Sequence, residues 1–205
     1  MSTITKPVVR EASASRVRLP GLACVIGGLL WWLLNISEPF GLPLGPALVE
    51  GLIGVVLLVG LMGGPLGLLA LRATGNDRTG RTGKIGAVIA LLGLLSYLAG
   101  QLLQTVLGLA TSEIGIFYAI GALLVGLGML ALGIAALVAR RLPGWKRFVP
   151  LSVGAYYAAM IPVQIVFFIG PNGLPSATLL AFWGLTWAAL GYAISSEASG
   201  KVTGL

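Results

Sequence analysis

The chain has 205 residues, 57% of them hydrophobic and 9% charged, with a mean hydropathy of +0.99 and a net charge of +7. A soluble domain carries charge on about a quarter of its residues, so this composition belongs to lipid, and at roughly 150 residues per domain the length allows one membrane unit. Zero histidines, one cysteine and six carboxylates leave almost nothing to ligate a metal or a haem or to relay protons, so neither metal nor cofactor is expected.

The chain opens with a basic tail, residues 1–18, that holds Lys6, Arg10, Arg16 and Arg18. Six apolar stretches follow, over 19–36, 46–71, 85–110, 114–139, 149–169 and 174–194, and a short tail at 195–205 closes the sequence. Each stretch meets or approaches the about 20 residues that a helix needs to cross the hydrocarbon. They lack the two-residue alternation of a barrel strand, and backbone in lipid must satisfy its own hydrogen bonds. The predicted fold is therefore all-α, a multi-pass bundle of six transmembrane helices.

The first stretch follows a basic segment, but Asn35, Ile36, Ser37, Glu38 and Pro39 offer no small-x-small cleavage site, so it reads as an uncleaved anchor. Trp31 and Trp32 fall near its outer end, where amphipathic rings commonly sit. Cys24 lies within the stretch and has no second cysteine to pair with. In the second stretch, Glu50 stands one turn in, where a carboxylate caps the helix start. Gly60 with Gly64, and Gly63 with Gly67, are overlapping small-xxx-small pairs; they serve close helix packing within the chain or a seam between chains. Pro65 is expected to kink this helix, and Pro162 the fifth.

The second connection holds Arg72, Arg78, Arg81 and Lys84. Within it, residues 75–82 read GNDRTGRT, close to a phosphate-binding loop but with Arg81 in place of the lysine and no preceding strand. Contact with anionic headgroups accounts for it better. In the third stretch, Tyr97, Gln101 and Gln104 share a face at spacings of four and three; in the fifth, Tyr157 and Gln164 are aligned with Met160. Ala122 with Gly126 and Gly184 with Ala188 add small faces to the fourth and sixth. The fourth connection carries Arg140, Arg141, Lys146 and Arg147, with Trp145 among them.

All 13 basic residues then fall on one side of the six-span layout, while the odd-numbered connections hold Glu38, Glu113 and no charge. Short loops rich in Lys and Arg stay cytoplasmic, which predicts cytoplasmic termini in a cytoplasmic membrane. Anionic headgroups explain the basic balance, and no nucleic acid is needed. Strongly polar side chains within the spans concentrate in the outer half. There Gln101, Gln104 and Gln164 either bond one another and lock the helices, or line an outward pocket with Glu50, Tyr97 and Tyr157 for a small polar ligand.

Several chemistries are excluded. A serine–histidine intramembrane protease needs histidine, and a paired-aspartate protease needs more than the single Asp77. No voltage-sensing arginine series and no diagnostic family motif stands in the chain. The sequence thus predicts a non-enzymatic membrane protein, a structural or accessory subunit associating with other subunits or with its own copies. The alternative is a solute-binding permease component that uses the outer pocket.

Overall fold

A computed structural model describes residues 6–37, 40, 45–73, 80–140, 142–164, 166 and 176–200, with the side chains of 6–14, 72–73 and 198–200 left aside. Among these residues every regular element is helical: α1 (Lys6–Ser37), α2 (Ala47–Ala73), α3 (Gly80–Leu107), α4 (Thr111–Val138), α5 (Val149–Val163) and α6 (Ala177–Gly200), with one 3-10 turn at Gly144–Phe148. Five of them, all but α5, are long and apolar enough to cross a membrane.

The helices outrun the apolar stretches because hydropathy marks where lipid begins, not where intrahelical hydrogen bonding stops. Thus α1 takes in described residues of the basic tail, and α6 continues to Gly200 through what reads as a tail. In contrast, α3 ends earlier than its stretch, at Leu107, because Gly108 turns out of the helix with φ of +66°. Over its described extent, α5 is the shortest of the six. Its 15 residues rise only about 22 Å, short of a core of about 30 Å, and the backbone widens to a π turn at Gln164, two residues after Pro162. The residues 167–175 of the fifth and sixth predicted stretches lie outside the described set. Pro65, by comparison, leaves α2 continuous over 27 residues.

Close contacts fix the arrangement. Each helix packs on the next in sequence, and α6 closes on α1, so the six form a ring, with a further contact between α2 and α6. The contact residues give directions. Gly27 faces Leu57 and Leu61, and Gly63 faces Pro20, so α1 and α2 are antiparallel. The same opposition holds for α2 and α3 (Gly51 to Thr105, Gly54 to Gln101), for α3 and α4 (Gly86 to Leu132, Gly93 to Val125), and for α4 and α5 (Gly133 to Leu151, Gly126 to Tyr157). It closes with α6 and α1, where Gly191 faces Gly21 and Gly184 faces Gly28. By contrast, Gly64 meets Trp187 and Gly67 meets Ile194, so α2 and α6 run parallel.

Small residues make this possible, since helices already in lipid gain little from apolar burial and depend on backbone approach. A Cβ placed on Gly60 would lie 2.7 Å from Ala23 O, and one on Gly28 would lie 2.5 Å from Ala188 N. Gly63 and Gly60 thus face α1, while Gly64 and Gly67 face side chains of α6. One helix therefore serves two partners through two adjoining glycine rows.

The alternating directions also gather charge. Arg16 and Arg18 of α1, Arg81 and Lys84 of α3, Arg140 after α4, and Lys146 and Arg147 before α5 all lie at one end of the ring, and Glu50 and Glu113 at the other. Arg78, Arg141 and the Arg72 side chain lie outside the described residues.

Candidate functional site

A cluster of aromatic rings lies in the buried core, among aliphatic side chains such as Leu61, Leu94, Met129 and Val153. Trp183 and Trp187, one turn apart on α6, are essentially unexposed and meet edge to face at 5.7 Å. Trp183 also packs on Trp31 of α1 at 5.3 Å and on Tyr157 of α5 at 5.2 Å. Trp31 reaches Tyr97 of α3 at 6.3 Å, and Tyr97 reaches Tyr118 of α4 at 5.8 Å. Gly64 of α2 closes over Trp187, where an added Cβ would stand 2.9 Å from Cζ3. Every helix of the ring thus touches one cluster. Offset and edge-on ring pairs contribute about 0.5–1.5 kcal/mol each beyond area burial.

The polar tips of these rings tie helices together. Trp31 Nε1 donates to Leu180 O at 2.7 Å, joining α1 to α6. Trp183 Nε1 donates to Val153 O at 3.1 Å and Tyr156 Oη to Leu179 O at 2.9 Å, joining α5 to α6. Tyr97 and Tyr157 approach each other between α3 and α5. Ser96 Oγ donates to Phe117 O at 2.8 Å, and Cys24 Sγ donates to Trp187 O at 3.3 Å. The exception is Trp187 Nε1, which is buried without a hydrogen-bond partner.

The residues singled out by sequence fall into three places rather than one. Tyr97 and Tyr157 meet at the centre, and Gln104 joins them indirectly, accepting from Tyr118 Oη at 2.9 Å on Oε1 and approaching Thr111 Oγ1 at 3.5 Å through Nε2. Gln101 turns the other way, toward α2: its Nε2 lies 3.2 Å from Thr105 Oγ1 and 3.5 Å from Gly51 O, next to half-buried Glu50 in the first turn of α2. Gln164, 5% exposed, accepts the Ser176 backbone N–H at 2.5 Å ahead of α6. Among the described hydrogen bonds, none joins two of these glutamines. Three residues apart on a helix is a 60° rotation, enough to send Gln101 and Gln104 to different neighbours.

No protein-family model, curated protein or solved structure matches the chain.

Sequence reasoning passed over Trp183 and Trp187, although two tryptophans one turn apart in the sixth stretch, away from both of its ends, signal an inward face. It read Trp31 only as a ring near the outer end of its stretch, and did not see that the close approach of α6 along Gly28 packs that ring onto Trp183.

Proposed function

We propose that this chain is a six-span, non-enzymatic protein of the cytoplasmic membrane, with both termini and the basic end of the ring cytoplasmic, and that it is a structural or accessory subunit of a larger membrane assembly. The observation that carries this reading is the packed core: aromatic rings meeting edge-on or tilted lie at its centre, and the N–H groups of Trp31 and Trp183 are bonded to backbone carbonyls of neighbouring helices. The glutamines support it too, because each is bonded to neighbours of its own.

The count of six rests on direction. Helices α4 and α6 are both parallel to α2, so the chain must return between them, and α5 is the segment that runs back. The membrane orientation follows from the basic end, since Lys and Arg in short loops remain cytoplasmic.

Two measurements test the proposal. In a Cys24→Ala background, a cysteine at Thr111 reacts with an impermeant maleimide in whole cells and one at Thr82 does not; the reverse pattern refutes the orientation. For the subunit role, the full chain solubilised in mild detergent migrates with stoichiometric membrane partners on a native gel. Recovery of a lone chain that retains a small polar solute overturns it in favour of a permease component.

A further inference from the structure

The elbow between α4 and α5 is held more firmly than a loop that only brushes headgroups. After α4 the backbone turns through Arg140, in the left-handed region at φ of +47°, and again through Gly144 at +58°. Leu142, 3% exposed, plugs the core beneath. Lys146 Nζ pairs with Glu197 Oε1 of α6 at 3.0 Å, both side chains being half-buried. Trp145 lies nearly parallel to Tyr192 of α6, with 10° between planes and 6.5 Å between centroids.

So fixed, the elbow presents a particular chemistry outward. Trp145 is 58% exposed, Tyr192 55% and Phe148 48%. The Arg147 guanidinium carbon sits 4.6 Å from the centre of the Phe148 ring, and both Arg147 and Arg140 are exposed. The nearby carboxylate of Glu197 is taken up by Lys146, and among the described residues of the elbow Arg140 and Arg147 remain as outward charge. Exposed, parallel Trp145 and Tyr192 rings, with the Arg147 guanidinium on Phe148 and Arg140 at the start of the same elbow, suit a ligand that is anionic at one point and apolar next to it. Guanidinium presents a planar fork to phosphate oxygens, and aromatic rings settle at the level where acyl chains meet glycerol.

We propose that Arg140, Trp145, Arg147, Phe148 and Tyr192 form a binding site for one anionic glycerophospholipid, with the phosphodiester on the arginines and the glycerol end of the chains on the Trp145–Tyr192 face. The inference rests on the membrane reading above, and it divides the basic end in two. Lys146 is a positioning residue that holds the elbow to α6, whereas Arg81 and Lys84, at the start of α3, supply only diffuse attraction.

The test counts lipids retained by the full chain, purified in mild detergent and titrated with phosphatidylglycerol or phosphatidylcholine, by native mass spectrometry at an ionic strength of about 0.15 M, where exposed charges are screened beyond about 8 Å. The parent retains one phosphatidylglycerol in preference to phosphatidylcholine. The double variant Arg140→Gln, Arg147→Gln loses that preference by about tenfold or more. The double variant Arg81→Gln, Lys84→Gln removes the same charge from the same end and changes retention by less than about twofold. Equal loss in both variants, or no lipid preference in the parent, overturns the site. Release of the chain from vesicles by alkaline carbonate would instead strike the membrane reading, and the titration in detergent would still report on the elbow.

Discussion

Replacing Gly28 with alanine tests whether the α1–α6 contact depends on the absence of one methyl group. The added Cβ would stand 2.5 Å from Ala188 N and 2.6 Å from Gly184 O. Both are helix backbone atoms that cannot swing aside, and ordinary contact needs about 3.5 Å, so the helices must part by roughly 1 Å. A gap of that size forfeits a quarter to a half of each dispersion contact along the seam, and overpacking of this kind costs about 1–3 kcal/mol. Three backbone atoms within 3.0 Å place the cost in the upper half of that range, so after the up to about 1 kcal/mol that alanine returns through helix propensity a net loss of about 1–2 kcal/mol remains. In a chain of this size that lowers the melting temperature by roughly 3–6 °C. Gly115 supplies the opposite case within the same protein: it lies inside α4 with nothing within 4 Å of an added Cβ. Gly115→Ala should therefore gain up to about 1 kcal/mol and melt higher. The assay is thermal unfolding of both variants in one detergent, followed by far-ultraviolet circular dichroism. Shifts of the same sign for the two would refute the close-approach argument.

Trp187→Phe and Trp183→Phe open cavities of similar size, but the first also removes an unpartnered N–H whereas the second strips Val153 O of a donor, so Trp183→Phe should lose more stability, by about 1 kcal/mol. The same melting assay decides, and a larger loss for Trp187→Phe would mean that its N–H is bonded. Gln164→Leu strands the Ser176 N–H and should cost about 1–2 kcal/mol, more than Gln104→Leu at its exposed site. Because the three glutamines engage separate neighbours, the triple Leu variant should equal the sum of the singles to within about 0.5 kcal/mol in thermal unfolding; strong non-additivity would point to one shared network.

How far the sequence disclosed this structure depends on which physical signal each feature leaves. Long apolar runs mark spans directly, so the positions of α2, α4 and most of α3 follow from length and hydropathy. Helix ends do not, since nothing in hydropathy forbids α1 from beginning at Lys6 or α6 from reaching Gly200. The pairs Gly60 with Gly64 and Gly63 with Gly67 were visible as spacing, but which neighbour each glycine meets is a tertiary fact, and each pair turns out to be split, with Gly60 and Gly63 on α1 and Gly64 and Gly67 on α6. The amide site was the least legible. Depth along a helix can be counted from the sequence, whereas the direction of a side chain around the helix depends on its partners. Gln101 and Gln104 diverge for that reason, and the ties between helices are shared among tryptophan, tyrosine, serine and the glutamines.

The closure of α6 on α1 also sets an order of events in biosynthesis. The Cys24 thiol and the Trp187 carbonyl that it meets are 163 positions apart, so at about 5–20 residues per second the ribosome needs roughly 10–30 s after the first helix is made before its partner exists. Hairpins such as α3 with α4 have their partners almost at once. Throughout that interval the face of α1 bearing Gly21 and Gly28 is a vacant seam in the bilayer. A chain stalled or truncated before α6 keeps that seam open, with the backbone approach at Gly21 and Gly28 unmade.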